Sequence, residues 1–129
     1  MLLAGLRLVH RGGLAGSGRG GLPGGNWEAD IRFPVDDTVR LGPDLVPWLR
    51  AERISVLCPP PTLLRASGCC DPQDQLPELR LLYVGGEALP QDLADLWSRG
   101  RRMVNGYGPT ECTVTVTRDE VRPGEAVTI

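Results

Sequence analysis

Apolar positions along this chain change their period several times, and each change marks an element. Residues 6–9 read as a strand. Residues 11–25 are mostly glycine, with Ser17, Pro23 and two arginines, a composition that buries too little apolar area to offset the ordering of its backbone. It is predicted to be a flexible insertion, with Trp27, Ile31 and Phe33 docking its far end. From Asp44 onward Leu45, Val46, Trp48 and Leu49 recur at helical spacing behind the start signal Gly42-Pro43-Asp44, with Pro47 tolerable in the first turn. That spacing predicts a helix to about Glu52.

Residues 54–57, Ile-Ser-Val-Leu, predict a buried strand stopped by Pro59, Pro60 and Pro61. Thr62 is placed to cap a short helix running to Arg65. Residues 67–77 are polar and turn-rich and read as a loop. Residues 79–84 form the next strand, ended by Gly85-Gly86, and residues 90–97 carry the Leu89, Leu93, Leu96, Trp97 stripe of an amphipathic helix. Residues 102–105 read as a further short strand. Alternating strands and helices imply an α/β fold with a mostly parallel sheet and flanking helices, in which ligands gather at the carboxyl ends of strands. Three such ends then open on one side, and the cleft between them is lined by Cys58, Tyr83, Gly85, Gly86, Glu87 and residues 105–111.

The last of those segments, Asn105-Gly106-Tyr107-Gly108-Pro109-Thr110-Glu111, carries the most chemistry. It reads as a tight loop: Gly106 and Gly108 free the backbone on both sides of Tyr107, and Pro109 sets the next φ. The ring, the Thr110 hydroxyl and the Glu111 carboxylate can then face one ligand, and a flat π-system, a phosphate and a cation are its natural guests. The competing reading is a hairpin-like turn with Tyr107 packed on the core and Glu111 solvated.

Composition narrows the picture further. A length of 129 residues fits one small domain, and a net charge of −2 argues against a nucleic-acid partner. The chain contains no lysine, so no amine nucleophile or lysine phosphate clamp is available within it. Cys58, Cys69, Cys70 and Cys112 form no C-x-x-C pair and lie far from the single His10, which disfavours a zinc site. Four free thiols in a reducing, cytoplasmic compartment are expected, because a disulfide between adjacent Cys69 and Cys70 would be strained. The first residues lack a basic region before their apolar run, which is interrupted at Arg7, so neither a signal peptide nor a membrane span is expected.

Residues 105–111, together with Leu81-Leu82-Tyr83-Val84-Gly85-Gly86-Glu87-Ala88-Leu89 and the proline-bearing stretch 57–64, resemble the adenylate-forming enzyme superfamily. That superfamily includes acyl-CoA synthetases, luciferases and the adenylation domains of nonribosomal peptide synthetases, and the wording here is nearest to the last of these. Residues 2–9 are similar to the family's helix end and strand. The resemblance implies a part of the large N-terminal subdomain of such an enzyme, with the glycine-rich 11–25 as an insertion within it.

It also implies roles. Tyr107 would stack on the adenine of ATP or AMP, with Asn105, Gly106 and Gly108 beside it and Gly85, Gly86 and Glu87 bringing backbone against the base. Thr110 would bond a phosphate oxygen and Glu111 would hold Mg²⁺, which makes these two the candidate catalytic residues. Cys58, Tyr83, Gly85, Gly106, Val114 and Thr115 would line the pocket for a small carboxylic acid, with a neutral amino acid favoured. The acceptor would be the phosphopantetheine thiol of a carrier protein or of another part of a larger synthetase.

The family's Ser/Thr/Gly-rich phosphate loop with its lysine would precede residues 2–9, and the ribose-binding aspartate and the lysine-bearing C-terminal subdomain would follow residue 129. An incomplete active site is therefore expected. Residues 17–25 only partly resemble the phosphate loop, with Gly24 where lysine belongs, and lie on the wrong side of the first strand. Two functions stay open: the central part of an ATP-dependent carboxylate-activating enzyme, and a non-catalytic remnant or nucleotide-binding module of the same fold. A dinucleotide-binding domain is disfavoured, since no G-x-G-x-x-G opens a helix after a strand.

Overall fold

The computed structural model describes residues 4–11, 26–32, 34, 37–107 and 117–128. Six strands form one sheet: β1 (Ala4–Arg11), β2 (Asn26–Arg32), β3 (Val56–Cys58), β4 (Leu81–Gly85), β5 (Arg102–Tyr107) and β6 (Thr117–Val121), in the order β2-β1-β3-β4-β5-β6. Five short helices accompany them: α1 (Asp37–Leu41), α2 (Leu45–Ala51), α3 (Pro61–Ala66), α4 (Pro72–Gln75) and α5 (Gln91–Trp97). The expected α/β class is borne out, and the centre of the sheet is parallel: β3 pairs with β4, and β4 with β5. Its flanks are antiparallel, with β1 against both β2 and β3, and β6 against β5.

The sequence missed β2, β6 and α1, and read α4 as loop. Asn26–Arg32 returns along β1 as the second arm of a hairpin, with His10 opposite Trp27, so Trp27 and Ile31 are strand residues. Arg11, expected in the insertion, closes the end of β1, while the rest of the glycine-rich stretch, 12–25, lies outside the described residues. In α4 the Asp71 side chain accepts from the Asp74 backbone N–H at 3.2 Å, a capping signal inside a polar stretch.

Side chains on a strand alternate between faces, and burial follows that alternation. Leu57, Leu82, Val84, Met103 and Val121 point toward the helices and join Leu45, Leu49, Leu63, Leu64, Leu93 and Trp97 in one core. The connections β3–α3–β4 and β4–α5–β5 step the same way across the sheet, so a common right-handed crossover sets α3 and α5 on the same face. The opposite face carries half-buried Val56, Leu81 and Tyr83, exposed Arg102, and Val104, which is buried yet stands outside that core. A groove of about 470 Å³ lies there, between Leu81, Tyr83, Val104 and the Arg102–Glu120 ion pair at 3.1 Å.

Candidate functional site

The three parallel strands end side by side, and the register shows how. Gly85 of β4 pairs with Gly106 of β5, and Val84 with Asn105. Asn105 ends the strand read from sequence, and Gly106 and Tyr107, read as part of a loop, extend β5 by two residues. The correction has a physical cause: β6 supplies a second partner for this stretch, pairing Gly106 with Arg118 and Tyr107 with Thr117, so its backbone groups are satisfied in a ladder.

Strand geometry then divides the site. Tyr83, Gly85 and Gly106 share the face away from the helices, whereas Asn105 and Tyr107 belong to the helix side. Asn105 is 3% exposed and donates from Nδ2 to the Thr128 carbonyl oxygen at 3.3 Å. Tyr107, at the open end, is 54% exposed. This excludes the alternative in which its ring packs on the core.

On the other face, a Cβ at Gly106 would collide with the Tyr83 phenol, reaching Cζ at 2.7 Å and Cε1 at 2.9 Å and closer still to Oη. A Cβ at Gly85 would meet the Gly106 carbonyl oxygen at 2.9 Å. The two glycines let the backbone and the Tyr83 ring lie together where any side chain would hold them apart. Cys58 ends β3, half-buried, and burial pushes its thiol pKa up from the ordinary value.

The turn after β4 is built on Gly86, whose φ of +83° favours glycine. Gly86 follows Gly85, whose partner Gly106 precedes Tyr107, so the turn and the ring are neighbours at the strand ends. Glu87 then turns its carboxylate to α3, where Oε2 accepts from the Thr62 backbone N–H at 3.2 Å and Oε1 from the Thr62 hydroxyl at 3.0 Å. Thr62 was expected to be a helix cap; the cap position is Pro60, and Thr62 lies inside the first turn. The sequence carried one clue to this contact, because Pro60 and Pro61 offer neither a capping side chain nor an N–H.

The described residues thus bring Cys58, Tyr83, Gly85, Gly86, Glu87, Asn105, Gly106 and Tyr107 to the carboxyl ends of three parallel strands. Gly108, Thr110, Glu111, Val114 and Thr115 lie outside the described residues. An exposed ring beside the exposed Gly86 turn suits a flat base, so the residues present fit an adenosine group. No group of three or more His, Cys, Asp or Glu side chains among the described residues is arranged to hold a metal ion. No helix among them is long and apolar enough to cross a membrane. Cys58, Cys69 and Cys70 are free thiols, and Cys112 is not described.

An α/β sheet that gathers the carboxyl ends of three parallel strands at one edge is the architecture in which ligands sit at strand ends. Residues 30–128 match the model of the AMP-binding enzyme family, and the chain belongs to that family. It is similar to a probable non-canonical nonribosomal peptide synthetase, CymA, of Salinispora arenicola, at 49% identity over 86 residues, covering 66% of this chain and 1% of that relative. Novobiocin biosynthesis protein H of Streptomyces niveus is 39% identical over 102 residues, covering 78% of this chain and 16% of its own length.

Among solved structures, the adenylation domain AlmE of Vibrio cholerae, in complex with glycyl-adenosine-5′-phosphate, superposes with a TM-score of 0.59 at 30% identity. That likeness covers 72% of this chain and 18% of AlmE. IdnL7 gives a TM-score of 0.62 at 29% identity, over 72% of this chain and 20% of its own. The chain therefore spans at most a fifth of these relatives.

Proposed function

We propose that this chain is the central part of an ATP-dependent enzyme that activates a carboxylate by adenylation, and that the acid is an amino acid. The observation that carries the reading is the open end of β4 and β5: Gly85 pairs with Gly106, the exposed Gly86 turn follows, and Tyr107 stands exposed at the end of β5. Membership of the AMP-binding family and the likeness to an adenylation domain that holds glycyl-adenosine-5′-phosphate support it. In the reaction a carboxylate oxygen of the acid attacks the α-phosphorus of ATP. The bond to the β-phosphate oxygen breaks, leaving an acyl-adenylate and pyrophosphate.

In this reading Tyr107 stacks on adenine on the helix side of the sheet, with the Gly86 turn nearby. The acid lies across the strands, against Cys58, Tyr83, Gly85 and Gly106, with Val114 and Thr115 completing its pocket; these small and apolar groups suit a neutral side chain. Thr110 holds a phosphate oxygen and Glu111 the accompanying Mg²⁺. Catalysis of this kind is mainly positioning and neutralisation of phosphate charge. The acyl group passes to the phosphopantetheine thiol of a carrier protein or of another part of a larger synthetase. Free thiols at Cys58, Cys69 and Cys70 fit a cytoplasmic setting.

The test is titration of the chain with ATP, followed by calorimetry. Loss of base stacking in Tyr107→Ala should weaken binding by roughly ten- to a hundredfold; no binding by the parent chain, or equal binding by the variant, refutes the reading. Pyrophosphate exchange into ATP with a panel of amino acids separates the two functional classes. Exchange shows a catalytic chain, and ATP binding without exchange marks a nucleotide-binding module.

A further inference from the structure

We propose that Glu87 is a positioning residue: its carboxylate caps α3 from across the fold and so holds the Gly85-Gly86 turn in place beside Tyr107. The first turn of a helix leaves backbone N–H groups without intrahelical partners. In α3, Pro60 and Pro61 carry no N–H, and Leu63 N–H already donates to the Pro60 carbonyl at 3.1 Å. Thr62 N–H is the remaining donor at the front of the helix, and no side chain from the cap position serves it. Glu87, 25 residues further along the chain, accepts from that N–H with one oxygen and from the Thr62 hydroxyl with the other.

Each carboxylate oxygen thereby accepts one bond from Thr62. What Glu87 offers a base is its backbone, while its side chain fixes where that backbone lies. The turn needs such a tie, because Gly86 at φ +83° has no side chain of its own to anchor it. A second link from α3, Arg65 Nη2 to Asp92 at 3.0 Å, reaches α5 beyond the turn and serves as a built-in control. The ligand half of this inference rests on the adenosine reading of Tyr107; the tie itself is independent of any ligand.

The experiment compares the 129-residue chain with Glu87→Ala, Thr62→Val and Arg65→Ala, reading amide hydrogen exchange by NMR, ATP affinity by calorimetry and the thermal midpoint. In Glu87→Ala the Thr62 amide, which loses its acceptor, should exchange about five- to tenfold faster, while those of Leu82 and Met103 are unchanged. The Kd for ATP should rise about tenfold with little movement of the midpoint. Thr62→Val, which keeps the backbone donor and loses the hydroxyl, should show part of both effects, and Arg65→Ala neither.

Unchanged exchange at Thr62 in Glu87→Ala overturns the tie. Faster exchange with undiminished ATP affinity overturns the positioning role. Failure of the parent chain to bind ATP sinks the adenosine reading and the ligand half with it, while the exchange rates still decide the tie.

Discussion

Gly106→Ala isolates the close approach on which the site depends. The new methyl would sit 2.7 Å from Tyr83 Cζ and 2.9 Å from Cε1, and nearer still to the hydroxyl. A phenol ring cannot yield at one atom, so the whole side chain must swing off the sheet or β5 must shift away from β4. Over-packing of this kind costs about 1–3 kcal/mol, and we expect about 2 kcal/mol because Tyr83 is half-buried and can move only by giving up contacts. Intrinsic preference acts the other way, since alanine in a strand interior is favoured over glycine by roughly 0.5–1 kcal/mol.

The clash and the preference separate in a double-mutant cycle with Tyr83→Ala. Where the ring has gone, Gly106→Ala should be stabilising by roughly 0.5–1 kcal/mol, so the coupling between the two sites should equal the clash, about 2 kcal/mol. Urea unfolding measures all four forms. At a slope of about 2 kcal/mol/M, the net loss of roughly 1–1.5 kcal/mol in Gly106→Ala lowers the midpoint by about 0.5–0.75 M. A neutral Gly106→Ala, or an equal cost in both backgrounds, would show that Tyr83 does not set the need for glycine.

Two further outcomes follow from particular residues. Arg53 sits just beyond the end of α2 with φ 52°, where glycine is the usual occupant, and its ion pair with Glu78 at 3.1 Å is exposed on both sides. Relief of the left-handed backbone, at roughly 1 kcal/mol, should outweigh an exposed pair worth a few tenths, so Arg53→Gly should raise stability by about 0.5 kcal/mol in urea unfolding; a loss above about 1 kcal/mol would contradict this. Burial raises the folded-state pKa of Cys58 and of Cys69 above that of the unfolded thiols. Their contribution to stability is therefore full below the ordinary thiol range and is lost as pH rises through the folded-state values. Iodoacetamide should label exposed Cys70 first and these two later, by mass spectrometry over a pH series; uniform labelling would refute the burial.

Much of the centre of the fold was legible because it is local. Leu57, Leu82, Val84 and Met103 fall in short apolar runs bounded by proline or glycine, and the helix stripes of Leu45 with Leu49 and of Leu93 with Trp97 keep their period. The boundaries shifted by a residue or two, as at β3, where Ile54 is core but precedes the strand. Tyr107 was singled out for its ring and its glycine neighbours, and the structure leaves that ring exposed at the end of β5.

The flanks of the sheet went unread. β2 is Asn-Trp-Glu-Ala-Asp-Ile-Arg, whose polar residues alternate with Trp27, Ala29 and Ile31 and so carry a strand signal beside the glycine-rich stretch, whereas β6 is Thr-Arg-Asp-Glu-Val, which has no such alternation. Each is completed as a strand through the backbone of a neighbour, β1 in one case and β5 in the other.

By itself, then, the amino-acid sequence determined the alternating βαβ centre, the glycines and proline that end its strands, and the aromatic residue at the mouth of β5, since periodicity and backbone freedom act over a few residues. The tertiary structure alone decided that Gly5 lies opposite Leu57, that Tyr83 covers Gly106, and that Glu87 serves Thr62. Such contacts join residues far apart in the chain, and a hydrogen-bond donor left over at one helix start carries no mark of which distant carboxylate will reach it.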